Sequence, residues 1–502
     1  MIQRGIISLF LLFSGVSALA QEQDTTDVFY KHLELRETVV TGLAGDSKMK
    51  EVPAPMSVIR PSDLAARSGG NIMSAIAAEP GVSEITTGGG ISKPVIRGMG
   101  FNRVVVVSDG LRQEGQQWGD EHGLEIDGAG VHSVEILKGP ASLMYGSDAL
   151  AGILIFHPEP SRAPGEAGGS FASEYQTNNG LASYSIAADG NAGGWLLGGR
   201  FSDKYAHAYS NAENGSVANS GYRQRAASAM LGRNARWGYS RLRGSWFHLT
   251  PGMIEGEGDN FGYTPALPLQ QVHHYKLVWD NTIHLGSGNL KLLLGWQQNR
   301  RQEFEESADE PGLDFRQNTL NYDIRWQGTL FGKWKAAFGL AGMGQRSENV
   351  GDEYLIPAYR LLDAGIFATA TRALGPWTLS GGVRTDVRLL RSEALPGRFE
   401  AFERRFPGIS ASLGAVRPLG EHFMLRTNLS RGFRAPNLAE LGSNGEHEGT
   451  FRFEVGNKDL SPEYSLQADL GLDFSSRVLS VQAAAFVSRI DNYIFAARNG
   501  SY

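Results

Sequence analysis

Beyond residue 169 the chain alternates apolar and polar residues with a period of two. In Tyr464–Phe474 the residues Tyr464, Leu466, Ala468, Leu470, Leu472 and Phe474 share one face. Ser465, Gln467, Asp469, Gly471 and Asp473 share the other. Leu290, Leu292, Leu294 and Trp296 repeat the pattern, as do Trp377, Leu379, Gly381 and Val383, and Phe423, Leu425, Thr427 and Leu429. Such alternation predicts antiparallel strands with one apolar and one polar face. Roughly fifteen of them can be counted. Long strands with an apolar outside and a polar inside suit a membrane β-barrel with a wet lumen better than a soluble sandwich. After the N-terminus no apolar stretch is long enough for a spanning helix.

Residues 52–160 read differently. Pro61-Ser62-Asp63 opens a helix, and Asn71 caps a second over Ile72–Glu79, which stops at Pro80-Gly81. Short β-runs follow at Arg103–Ser108, His132–Lys138 and Gly152–His157, separated by glycine turns. Ser161–Gly169 is a Pro/Gly-rich hinge into residues 161–502, the barrel segment.

The first 20 residues have the layout of a signal peptide. Arg4 is the positive end, Ile6–Val16 the apolar core, and Ala18-Leu19-Ala20 the cleavage pattern, so the mature chain begins at Gln21. Residues 21–51 form a polar tail that contains an extended, β-prone run, Glu37-Thr38-Val39-Val40-Thr41. An isolated strand of this kind can pair with the sheet edge of another protein.

Composition narrows the function. The net charge of −6 across 502 residues gives no broad basic footprint, so nucleic acid is not an expected partner. Cysteine is absent, which removes thiol chemistry. The 64 glycines and 10% aromatic content fit many tight turns and strands with aromatic anchors. No catalytic motif is present. Gly98-Met99-Gly100 fails the dinucleotide pattern at Arg103, and no helix follows, so an enzyme is not expected.

Candidate chemistry lies in loops. Asp120-Glu121-His122 sits in Gln113–Asp127, a loop between two strands of the 52–160 segment. A carboxylate beside an imidazole supplies two ligands of a zinc-type site. The ligand set also suits copper or nickel. A second candidate is Gly445-Glu446-His447-Glu448-Gly449. His273-His274 begins a strand, so its two rings face opposite sides and do not chelate one ion.

The stretches E-P-G-V, I-R-G, D-G and E-I-L-K-G-P-A-S-L-M-Y-G, in that order, resemble the plug domain of TonB-dependent outer-membrane receptors. The resemblance runs from about Glu34 to the C-terminus. It implies an α+β plug (52–160) inside a transmembrane antiparallel β-barrel, in the outer membrane of a Gram-negative cell and in contact with its lipid. The family barrel closes with about twenty-two strands. With roughly fifteen strands and no terminal strand after Arg498, the chain is expected to be a truncated or split product. The resemblance also makes Glu37, Thr38, Val39, Val40 and Thr41 a TonB box, with TonB and its energising ExbB/ExbD complex as partners.

The segment G-x-H-E-G-T-F-x-F-E-x-G-N resembles zinc-uptake receptors of this family. That implies Glu121, His122 and His447 as ligands to transported Zn²⁺, with no resident cofactor. Glu353, with Asp352 as the alternative, is chosen as the fourth ligand on loop placement alone. Arg112, Trp118 and Asp120 are expected as ligand contacts at the plug apex. In the region of Glu135 and Lys138, which is expected to pack on the barrel wall, salt bridges to barrel arginines such as Arg384 or Arg426 are expected. The rival readings are an iron-siderophore or haem receptor, a passive surface barrel for phage or bacteriocin attachment, and a non-functional fragment.

Overall fold

The computed structural model describes Val39–Val40 and residues 47–498, apart from 68–69, 116–118, 120–121, 141–142, 255–258 and 448–451. The plug is built on a five-stranded sheet, ordered Met56–Ile59, Val131–Lys138, Gly152–Pro158, Val104–Ser108 and Leu111–Arg112. The pair Val104–Ser108 and Gly152–Pro158 is parallel, the others antiparallel. A parallel pair is covered on both faces, which is why V-V-V-V and G-I-L-I-F are continuously apolar rather than alternating. Val104, Val106, Val134, Ile136 and Leu154 pack on one side with Ile59, Met73, Ile76 and Ile96. Val105, Val107, Ile153 and Ile155 pack on the other with Ala149.

Helix Pro61–Ala66 has proline in its first turn. Helix Ile72–Ala77 is capped by Asn71, whose side chain accepts from Ser74 N–H at 2.9 Å. The second helix stops two residues before Glu79, whose N–H bonds the Ile76 carbonyl in a closing turn. At Gly152 φ is +148°, and a Cβ there would run into the Leu137 carbonyl. Only glycine lets the two strands approach so closely.

The second body is a sheet of 15 strands, from Ala167–Gln176 to Ser480–Asp491, each antiparallel to the next in chain order. The expected strand number is met among the described residues. No ladder joins the first and last strands among the described pairings, so the sheet is open there. Strand lengths run from 10 to 18 residues, more than the alternation alone predicts. From Leu181 onward, connections of two to four residues alternate with longer ones, such as that between Arg434 and Glu463. In outer-membrane barrels short turns mark the periplasmic end and long loops the outer end.

Burial is inverted relative to a soluble protein. In Glu463–Ser475, Ser465, Gln467 and Asp469 are buried against the plug, whereas Leu466 and Leu470 are 51% and 52% exposed. A soluble sandwich would bury those leucines. No helix among the described residues is long and apolar enough to cross a membrane. The sheet wraps the plug, and the polar inner face holds it.

Candidate ligand site at the plug apex

The hairpin Val104–Ser108/Leu111–Arg112 turns through Asp109 and Gly110, both at positive φ, and leads into the segment that begins at Gln113. Backbone bonds fix the ends of this segment. Gln113 N–H donates to Val106 O at 2.8 Å, and Leu124 N–H to Ser92 O at 2.8 Å. Lys93 donates to the Gly119 carbonyl from beneath and lies over the Phe101 ring.

His122 is 1% exposed. Its Nε2 lies 3.9 Å from Glu303 Oε1, at the loop end of barrel strand Gly288–Phe304. The sequence pairs His122 with its neighbour Glu121. Its described carboxylate partner is on the barrel, and Glu121 lies outside the described residues. From Glu303 a buried polar chain runs back into the plug. Gln270 Nε2 donates to Glu303 at 3.0 Å, and Arg301 donates to Gln270 Oε1 at 2.9 Å. Arg301 also donates to Glu125 Oε1 at 3.0 Å. Glu125 Oε2 accepts from Asn299 at 2.5 Å and meets His274 Nδ1 at 2.5 Å. Buried charges persist only when paired and hydrogen-bonded, and this network meets that condition for Glu125 and Arg301.

Glu303, Arg301 and Glu125 were not singled out from the sequence, and His274 was considered only as a partner of His273. A signal was there: residues 297–303 are all polar, and Gln297, Asn299, Arg301 and Glu303 among them are buried on the inward face. As expected, His273 and His274 part company. His274 joins this network, while His273 stacks on His248 on the other face, with ring centroids 4.1 Å apart.

The remaining expected residues fall as follows. Glu353 is half-buried, its N–H bonded to Gly312 O at 3.0 Å and its carboxylate lying over Gly312; Asp352 is exposed. Leu313 pairs with Glu303, so the Glu353 loop adjoins the His122–Glu303 contact through the backbone. Asn444 N–H donates to Leu355 O at 3.0 Å, which brings the hairpin Asn444–His447/Arg452–Val455 against the same loop. The side chain of His447 lies outside the described residues, as do Glu121, Trp118 and Asp120. Among the described residues no three His, Asp or Glu side chains stand close enough to hold one ion. Two donors on one tetrahedral zinc stand roughly 3.3 Å apart. His122 and Glu303 therefore need only a small closure to share an ion.

Arg112 is committed within the plug. It pairs with Asp148 at 2.8 Å and Glu114 at 2.5 Å, and donates to Ser147 O at 3.1 Å. These groups line a small polar cavity with Gln317, Tyr359 and Arg388.

Two expectations are corrected. Glu135 pairs with His157 at 2.7 Å, and Lys138 donates to Pro80 O at 2.7 Å, both within the plug. Arg384 and Arg426 do hold the plug, but through backbone carbonyls: Leu143 and Met144 for the first, Met49 and Val52 for the second. A polar lumen satisfies plug carbonyls with long cations, and that pairing leaves no trace in the charge pattern of either segment. The second correction concerns Val39–Val40, which is not an isolated strand. It pairs antiparallel with Ser47–Lys48, the nearest extended segment, leaving one edge for another strand. Glu37, Thr38 and Thr41 lie outside the described residues.

Ion pairs add further anchors between the domains. Arg97 meets Asp469 at 2.8 Å, Arg103 meets Glu463 at 2.5 Å, and Arg243 meets Asp109 at 2.6 Å. Burial alone would raise the Asp109 carboxyl, but Lys276 and Arg243 outweigh it and hold the group below its ordinary value.

Comparison with known proteins agrees with this architecture. Residues 48–153 match the TonB-dependent receptor plug domain, and residues 164–502 match the TonB-dependent receptor-like β-barrel. An iron-regulated outer membrane virulence protein of Vibrio cholerae is 35% identical over 156 residues, 30% of this chain and 22% of that protein. The aligned part thus spans about a fifth of that relative's length. The Serratia marcescens hemophore receptor HasR superposes with a TM-score of 0.73 at 20% identity, covering 88% of this chain and 74% of HasR. The copper transporter OprC gives 0.72 at 18% identity, covering 91% and 73%. The plug inside its sheet, the inverted burial and the two domain matches together place the chain in the TonB-dependent receptor family.

Proposed function

We propose that the chain is an outer-membrane receptor of a Gram-negative cell. It binds a scarce metal, zinc foremost, at the plug apex and imports it with energy passed through TonB and ExbB/ExbD. The observation that carries the metal reading is the approach of buried His122 on the plug to buried Glu303 on the barrel wall. An ion held between them ties the two domains together, so occupancy is felt by the plug. Glu121, His447 and Glu353 complete the set. Relatives whose names carry copper, iron or haem fit a family that takes up metals and metal complexes. Residues 1–20 direct export, and Glu37–Thr41 is the strand that TonB engages.

Calorimetric titration of the purified chain with Zn²⁺ tests this, alongside His122→Ala, Glu303→Gln and His447→Ala. Tight binding weakened in all three supports the reading. Zinc binding indifferent to all three, with haem or a ferric siderophore binding instead, moves the substrate to that class. Uptake that survives deletion of Glu37–Thr41 would point to a passive barrel.

A further inference from the structure

One row of residues crosses the outward face of the sheet near its long-loop end. Asp203, Arg225, His248, His273, Arg300 and Arg316 are direct partners in five successive ladders. Direct cross-strand partners share a face. That face is the outer one, because Phe201 and Tyr275, two residues along from Asp203 and His273, are exposed.

The row contains two charge clusters. Asp203 meets Arg223 at 2.7 Å and Arg225 at 3.7 Å. Asp314 meets Arg300 at 2.7 Å and Arg316 at 3.0 Å. Each carboxylate thus faces two guanidiniums, leaving one positive charge in surplus per cluster. The arginine side chains are 37–45% exposed and both aspartates only 5%, so the surplus charge faces outward. Between the clusters His248 and His273 stack, and Trp246 and Tyr275 continue the stack below them.

Two rows further from the loops the outward residues are small: Ala188, Gly199, Ala229 and Gly244 are successive partners. Leu197, Leu231 and Leu242 lie beyond them. Ala188, Ala229, Gly244 and the three leucines line a depression of about 740 Å³ on the outer face. A Cβ on Gly199 or Gly244 would meet nothing nearer than 3.7 Å, so packing within the chain does not require glycine at either place.

We propose that this face binds a bis-phosphorylated glycolipid of the surrounding bilayer. Its phosphates sit on the two arginine clusters and an acyl chain lies in the depression. Guanidinium forks suit phosphate oxygens, and basic residues at a membrane surface attract anionic headgroups. Arg225 and Arg300 are three strands apart, about 14 Å at the spacing of neighbouring strands. One phosphate cannot span that distance, whereas two phosphates on one headgroup can. The proposal rests on the membrane reading above.

The test uses the full chain mixed with phosphatidylcholine vesicles. Flotation with the vesicles checks insertion. Nanodiscs made from the same lipid then carry diphosphoryl lipid A, monophosphoryl lipid A or a fully dephosphorylated form, and lipid retained by the protein is read by native mass spectrometry. The expected order is diphosphoryl, monophosphoryl, dephosphorylated. Arg225→Gln with Arg300→Gln should reduce diphosphoryl retention by on the order of tenfold or more. Arg225→Lys should fall between, Gly244→Leu should reduce retention of all three lipids by filling the acyl-chain depression, and Arg372→Gln at the opposite rim should leave retention unchanged.

A chain that does not float overturns the membrane reading and this proposal with it. A chain that floats but retains all three lipids equally, or keeps its retention in the double arginine variant, overturns this proposal alone. So does displacement of the lipid by millimolar inorganic phosphate, which would mark a free-anion site. Self-association lost in Gly244→Leu with lipid retention intact would assign the face to a second copy of the chain instead.

Discussion

The guanidinium of Arg388, in the barrel wall, lies 2.7 Å from the carboxylate of Asp148, in the plug, and both are buried. Arg388 also holds Asp363 at 2.6 Å, and Asp148 also accepts from Arg112 at 2.8 Å. The Asp148 N–H bonds the Phe433 carbonyl at 3.0 Å, so main chain and side chain anchor together. Burial would raise the Asp148 carboxyl, but Arg388 and Arg112 outweigh it and hold it at about 2. An unfolded aspartate titrates near 3.9. Because the folded value is the lower one, this anchor is at full strength above about pH 4 and is lost as pH falls towards 2. Plug release followed by protease protection should therefore be flat from pH 8 to 5 and rise below 4. In Asp148→Asn the plug should be released more readily at neutral pH, with the acid step reduced.

Glu125 is the second anchor, and its removal should be costly. Glu125→Gln leaves Arg301 buried without its counter-charge and His274 without its carboxylate. Breaking one side of a buried pair costs about 3–5 kcal/mol. The chain has no cysteine, and Val105 lines the small cavity between plug and barrel wall, so a single Val105→Cys reports on the plug–barrel contact. Maleimide labelling at that position should quicken severalfold in Glu125→Gln. Arg301→Gln added to it should recover part of the loss, because no unpaired charge then remains.

The architecture could be read in the sequence because both periods are strong. Alternation in Tyr464–Phe474 gives strand, face and environment at once, and V-V-V-V against G-I-L-I-F marks a strand pair buried on both sides. The site was legible only in part. The burial of His122 follows from its loop being pinned at Gln113 and Leu124, which no local pattern reports. Glu303 lies 181 positions from His122, and only the closing of sheet around plug brings them together. Arg384 and Arg426 could be foreseen as plug contacts but not their targets, because a carbonyl looks the same at every residue.

The metal reading has its own pH signature. Imidazole binds zinc only when neutral, so affinity should fall as the solution is acidified and protons compete for the ring. Zn²⁺ titrations at pH 7.5 and 5.5 should differ by about tenfold or more for one required histidine. The dependence should flatten in His122→Ala. A profile unchanged by that substitution would remove His122 from the ligand set.

The last expectation concerns Val39–Val40. Its backbone pairs on one side with Ser47–Lys48, which leaves the other edge for an incoming strand. Proline has no N–H to give and fixes φ, so one proline interrupts a strand ladder. Val40→Pro should therefore abolish energised uptake in cells starved of the metal. Equilibrium binding to the purified receptor should be unchanged, because the proposed site lies where His122 meets Glu303 of the barrel wall, not at Val40. A conservative Val40→Ile should keep both activities. Loss of binding together with uptake in Val40→Pro would show instead that the segment supports the plug, and its role as the TonB strand would fall.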